Sequence, residues 1–333
     1  MFFSYFSLSQ SVSSFTINYE LQAVEKYLAY LAFVLSFVNC VVLMVYIHSN
    51  YSTFPGLRSL IRNSSAGASI TLMDFNDLGN SKERVLLLVI VGSAPQRSDR
   101  RQAIRDTWWR HCTHSAEVKC VFATDGLIKD RAKRSLILQE RNRYKDLELQ
   151  PLPSDDVVRF GQRFLISIKW AMAKFDFQYF LNLDDDYFVC LKRLLSELPS
   201  RPTSNLVWGH FHCQAGNTFA DEAFVVFSRD MIHKFLAQDE KTMLCHPYAD
   251  QQFHLWLKNT TKVYFHDPRL HHHPPASYLD KFNNIKNVCD SFIGIHGTYA
   301  EKMREFGLNS NDGAKKFQKQ KHRGGLEFPD EEP

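Results

Sequence analysis

The sequence predicts an α/β domain, a mostly parallel twisted sheet with helices on both faces, preceded by one transmembrane helix. Three observations lead there. Val85–Val91 is an unbroken apolar run, the pattern of a strand buried on both faces of a parallel sheet. Apolar runs then alternate with stretches of helical period, which calls for crossover connections. Residues 27–47, finally, contain no charged side chain.

That uncharged stretch comes first. At about 1.5 Å per residue, a helix over 27–47 matches a hydrocarbon core of about 30 Å. Ser36 and Asn39 are its clearly polar side chains. A cleaved signal peptide has a shorter apolar region nearer the start, and a core helix carries a polar face. The expected organisation is therefore a cytosolic tail (1–26), a transmembrane signal anchor (27–47), a lumenal stem (48–83), a folded domain (84–310) and a disordered tail (311–333). Lys26 before the span against Arg58 and Arg62 after it weakly favours the opposite orientation. Acceptor triplets for glycosylation at Asn50, Asn63 and Asn259 favour a lumenal C-terminal portion. Cysteine usage agrees. Of the 7 cysteines, Cys40 lies in the span, and the others could form disulfides in an oxidising compartment. Cys112 and Cys120 could close a small loop, although pairing cannot be read from spacing.

Within the folded domain, strands are expected at 85–91, 119–123 and 179–183. Helices are expected at 100–109, 131–144 and 160–174, the last carrying Phe164, Ile168 and Ala171 at helical spacing. Hydrophobic residues make up 44% of the chain, enough for a packed core and too many for a disordered protein. The net charge of +4 is too small to argue for nucleic acid.

The chemistry is expected where Tyr179–Leu183 runs into Asp184, Asp185 and Asp186. Ligands of parallel sheets sit beyond the carboxyl ends of strands. Adjacent carboxylates repel one another and need a cation or several N–H donors. Here the triplet is pinned between two apolar segments, unlike a solvated acidic loop. Hard oxygen ligands suit Mg²⁺ or Mn²⁺ bridging to phosphates.

Several motifs in order resemble the β1,3-galactosyltransferase superfamily (glycosyltransferase family 31, GT-A fold). They are Arg101-x-x-Ile104-Arg105-x-Thr107-Trp108, the strand with Asp184-Asp185-Asp186-x-Phe188-Val189, Trp170, Trp208-Gly209, Ala249-Asp250 and Phe292–Gly297 with His296. His266-Asp267-Pro268-Arg269 is similar to the branch that builds the proteoglycan linkage region.

The resemblance implies a single-pass type II Golgi membrane enzyme with a lumenal catalytic domain. It would move a hexose, galactose first, from a UDP-sugar to a glycan on a glycoprotein, proteoglycan or glycolipid. It implies Asp186 and His296 as ligands of Mn²⁺ or Mg²⁺, and Asp184 and Asp185 as donor-binding residues. Asp250 is implied as general base; its other reading is a helix N-cap. Arg101 and Arg105 share a helix face and are expected to fork onto the diphosphate, the competing reading being an internal salt bridge. Trp108 is expected in the core. The run His271-His272-His273 is expected to be an ordinary loop, because neighbours on an extended chain point opposite ways.

This chain departs from the family at 222–228, where a glycine-rich segment is replaced, and at 249–251, where Ala249 stands for a glutamate. Three alternatives therefore stay open: an N-acetylhexosaminyl or glucosyl donor, an inactive glycan-binding relative, and a metal-dependent phosphohydrolase.

Overall fold

Val85–Val91 forms the middle of β1 (Glu83–Gly92), and its side chains divide between two cores. Leu87, Val89 and Val91 face one side of the sheet; Leu88 and Ile90 face the other. This is the period of two expected of a strand, with both faces apolar. The computed structural model describes residues 72–73, 82–214, 217–240, 248–272, 282, 285 and 287–309. The predicted cytosolic tail, transmembrane helix, most of the stem with Asn50 and Asn63, and the tail 311–333 lie outside the described residues. No helix among the described residues is long and apolar enough to cross a membrane.

The remaining strands are β2 (Val118–Leu127), β3 (Leu147–Pro153), β4 (Phe175–Asp184), β5 (Phe188–Val189), β6 (Leu206–Gln214), β7 (Asn217–Ser228), β8 (Val263–His266), β9 (Leu270–His271) and β10 (Gly294–Ile295). A seven-stranded sheet has the order β3-β2-β1-β4-β7-β6-β8. Strands β3, β2, β1 and β4 are parallel, as expected. β7 enters antiparallel to both β4 and β6, and β8 returns parallel to β6. The switch from parallel to antiparallel pairing therefore falls at β4, the strand that ends in the aspartates. Strand β3 was not expected, because Gln150 and two prolines interrupt its apolar pattern.

The helices are α1 (Ser98–Asp106), α2 (Arg110–His114), α3 (Arg131–Tyr144), α4 (Phe160–Lys174), α5 (Leu191–Glu197), α6 (Arg229–Leu236), α7 (Ala249–Leu257) and α8 (Ala300–Asn309). The spans expected for α3 and α4 are those observed. Asp130 starts α3 by accepting from the backbone N–H groups of Ala132 and Lys133. One core joins Ile104, Trp108, Met303 and Phe306 to β1 and β4; the other joins Phe164, Phe235, Phe253 and Trp256 to the opposite face. Trp108 is buried, as expected. The helix predicted at 100–109 ends early, at Asp106, and the Thr107 hydroxyl donates back to the carbonyl of Ala103.

A small second sheet, in the order β5-β10-β9, follows the triplet. The disulfide Cys190–Cys289 sits at its edge, and Cys112–Cys120 closes the short loop before β2. Cys213 is exposed and outside a disulfide, while Cys245 lies outside the described residues. Closing a loop of sequence separation 99 restricts the unfolded chain strongly. Cys190→Ser with Cys289→Ser is expected to cost about 2–5 kcal/mol in denaturant unfolding.

His266-Asp267-Pro268-Arg269 is a structural clamp. Asp267 accepts from Trp208 Nε1 at 3.1 Å and from Arg269, whose fork also grips Glu197 through two contacts of 2.8 Å. Those bonds tie β6, β8 and α5 together.

Candidate active site

Strand β4 delivers the triplet to its carboxyl end, beside Gly92 of β1. Asp186 Oδ1 lies 3.2 Å from His296 Nε2. One ligand atom each from Asp184, Asp186 and His296 falls within 4.8 Å of the others. His296 follows β10, its backbone N–H bonded to His271 O, and Gly297 turns the chain at φ 70°. The Thr298 N–H then donates to Asp186 O at 2.7 Å, which locks the two segments together. Tyr187 stacks on the His296 ring with centroids 5.4 Å apart.

Arginines reach the triplet, but not the expected ones. Arg100 Nη1 donates to Asp185 Oδ1 at 2.8 Å and to Asp186 Oδ2 at 3.4 Å, and Arg97 donates to Asp185 at 3.1 Å. The Arg100 guanidinium also lies 4.5 Å over the Tyr299 ring. Asp185 is buried, and its Oδ2 has no hydrogen-bond partner among the described residues.

The assignment of Arg101 and Arg105 to the donor is corrected here. Arg101 is fully buried; its donors go to both oxygens of Glu140, to Ser93 Oγ and to the carbonyls of Ala94 and Pro95. Arg105 pairs with Asp146 through two contacts of 2.8 Å and with Glu140 at 2.9 Å. Its guanidinium lies over the Tyr144 ring at 3.9 Å. With those donors engaged inside the fold, the motif fixes α1 to α3 and does not offer a fork to a phosphate.

Asp250 lies in the first turn of α7. Tyr248 rather than Asp250 is the N-cap, so the capping reading of Asp250 is also corrected. The orphan N–H groups of Ala249 and Asp250 are taken by Glu222 Oε2 from β7. A cleft of about 420 Å³ is lined by Asp250, Gln251, His212, Cys213 and Phe219.

Between the triplet and the cleft stands a cluster the sequence reading missed. Asp221 Oδ2 is 2.8 Å from His212 Nε2 and 2.5 Å from His272 Nδ1. His210 stacks on His272 at 5.1 Å, and His272 lies 5.3 Å from His296. Two signals were available. His210 and His212 alternate on β6 and so share a face. The ordinary-loop reading of His271-His272-His273 is corrected: the first two do point opposite ways, but His271 belongs to β9 and packs against Phe282 and Phe292, while His272 turns into the site; His273 lies outside the described residues.

The protonation pattern follows from this crowding. Burial, then Asp186, Asp185 and Asp221, hold Asp184 well above the ordinary carboxylate range. Burial, with Asp184 and Asp250, pushes Glu222 up to about 9. Asp186 moves the other way. Burial opposes its ionisation, but His296 and the arginines more than offset that and hold it low. Burial and the neighbouring imidazoles of His272, His212 and His266 press His210 down to about 4. The centre thus carries more carboxylate than its own cations neutralise, and two oxygens with one imidazole suit a hard divalent ion.

Residues 99–228 match the model of the galactosyltransferase family. This stretch is similar to a galactosyltransferase-family domain. That domain spans α1 to the end of β7 and includes the triplet, Asp221 and Glu222; Asp250, His272 and His296 follow it. The chain is 27% identical over 214 residues to beta-1,3-galactosyltransferase 6 of Mus musculus, covering 57% of this chain and 65% of that protein. It is 33% identical over 152 residues to lactosylceramide 1,3-N-acetyl-beta-D-glucosaminyltransferase A of Danio rerio, covering 42% and 40%. The chain thus spans less than two thirds of the length of these curated relatives. Among solved structures, a glycosyltransferase involved in glycosylation of the major capsid of PBCV-1 aligns at TM-score 0.41 and 13% identity, over 67% of this chain and 99% of that one.

Proposed function

We propose that this protein is an inverting β1,3-glycosyltransferase that moves a hexose, galactose first, from a UDP-sugar to a glycan hydroxyl. We further propose that it works in the Golgi lumen, anchored through residues 27–47. The observation that supports the reading best is the pairing of Asp184, Asp186 and His296 with Asp250, the two groups separated by Glu222.

The donor set fits Mn²⁺ or Mg²⁺, held by Asp186 and His296 with Asp184 beside them. Such an ion supplies Lewis-acid stabilisation of the charge growing on the leaving diphosphate. The protein's own groups do the rest. Arg100 and Arg97 orient Asp185 and Asp186. Glu222 accepts from the N–H groups of Ala249 and Asp250 and so holds the first turn of α7, which carries Asp250. The acceptor oxygen forms a bond to the anomeric carbon as that carbon's bond to the UDP oxygen breaks. The electron pair leaves with UDP, and the hydroxyl proton passes to Asp250.

Two relatives favour different donors, one named a galactosyltransferase and one an N-acetylglucosaminyltransferase. A panel of UDP-galactose, UDP-N-acetylglucosamine and UDP-glucose with galactoside, xyloside and N-acetylglucosaminide acceptors separates them. UDP release should depend on acceptor and favour one donor, vanish with chelator and return with Mn²⁺. Full activity in chelator removes the ion from the reaction. Absence of turnover with retained glycan binding makes the protein a lectin-like relative.

A further inference from the structure

The cluster His212, Asp221 and His272 plays no part in the transfer chemistry proposed above, yet it has the form of a second ion site. From its geometry we propose that these three residues bind a borderline transition-metal ion, Zn²⁺ by preference, separately from the site at Asp184, Asp186 and His296. The proposal rests on the histidine geometry and not on the transfer reaction.

The donors converge. His212 Nε2 and His272 Nδ1 approach the same oxygen of Asp221, at 2.8 and 2.5 Å. One ligand atom from each of the three lies within 4.8 Å of the others. A tetrahedral Zn²⁺ with bonds of about 2.0–2.1 Å needs its ligand atoms about 3.3 Å apart, a spacing that small side-chain shifts would reach. The carboxylate is already oriented, because its other oxygen accepts from the Ala223 N–H at 2.7 Å. Asp221 is buried, and His212 and His272 are half-buried. The rings are held as well. His210 stacks on His272 at an interplanar angle of 12°, and the His212 and His272 centroids are 4.6 Å apart. Each residue comes from a different segment: β6, β7 and the end of β9. A site assembled across three segments is hard to produce by local sequence alone.

Ligand chemistry separates the two sites. Two carboxylates and one imidazole favour Mg²⁺ or Mn²⁺, whereas two imidazoles and one carboxylate favour Zn²⁺. His212 also lines the cleft that contains Asp250, so a fourth coordination position would open toward the acceptor side. An ion there would be available to water or to an acceptor oxygen, the arrangement of zinc sites with an open position.

The test uses the full-length protein in detergent, stripped with chelator, dialysed and titrated with Zn²⁺, and with Co²⁺ as the optical probe. Wild type should bind Zn²⁺ and give the visible absorption of four-coordinate Co²⁺. The variant His212→Ala/His272→Ala should lose that absorption, with Zn²⁺ affinity reduced ~100-fold or more, since even outer-shell changes cost 10–100-fold. Asp186→Asn should keep the absorption while losing Mn²⁺ binding. Because removing both rings could unsettle the core, His212→Gln serves as the milder variant, and circular dichroism without metal checks its fold. Zn²⁺ binding that is unchanged in a folded His212→Gln, or that disappears in Asp186→Asn, overturns the proposal. Loss of Mn²⁺ binding alone bears on the ion site of the transfer reaction and leaves this one standing.

Discussion

Asp250→Asn is expected to reduce turnover by about 10²–10⁴-fold, the range over which a positioned general base contributes. The change keeps the shape of the side chain and removes its ability to accept a proton. Asp250 sits in the first turn of α7, which Glu222 satisfies from below, so the helix itself has little reason to move. KM for the UDP-sugar should stay within about threefold of wild type, because the loss falls on a step made only in the transition state. UDP affinity, measured by calorimetry with Mn²⁺, supplies the second readout. Near-normal turnover in this variant would remove Asp250 as base.

Glu140→Gln is expected to destabilise the domain by about 3–5 kcal/mol at pH 7, the cost of removing one partner from a buried ion pair. Glu140 accepts from Arg101 at 2.8 and 2.7 Å and from Arg105 at 2.9 Å, and its own side chain is 11% exposed. Gln keeps one oxygen but leaves the buried Arg101 guanidinium without compensating charge, while Arg105 retains Asp146. The effect also depends on pH. Burial works against ionisation of Glu140, but the two arginines outweigh it and hold the carboxyl below its ordinary range. A depressed carboxyl stabilises the fold fully above its unfolded pKa of about 4.3 and loses that contribution as pH falls through the folded value. The gap between wild type and Glu140→Gln in urea unfolding should therefore be widest near neutrality and narrow below about pH 4. A gap that stays constant down to pH 3 would mean that the loss comes from packing.

These cases show which features could be read from residues in order. Strand β1 and helices α3 and α4 were legible because a long apolar run or a sustained period specifies each of them locally. The triplet was legible because an apolar strand stops at three like charges, which few structural roles tolerate. Arg101 and Arg105 were misjudged for a physical reason. A guanidinium four residues from another marks a helix face, but whether that face meets phosphate or Glu140 depends on a partner from α3. Arg97 and Arg100, which do touch the aspartates, carry no period that distinguishes them from surface residues. The imidazole cluster escaped because its members come from β6, β7 and β9. Only the antiparallel entry of β7 beside β4 brings Asp221 next to His272.

The candidate ion site draws Asp184 and Asp186 from the end of the large sheet and His296 from the end of the small one. Non-local pairings of this kind form late, after the loops between them have closed. A newly made chain can therefore complete β1 to β4 and display the carboxylates while it is still blind to the ion. The site would be complete only when β10 docks between β5 and β9 and brings His296 to the aspartates. Chains halted short of that point would hold the carboxylates without His296 beside them.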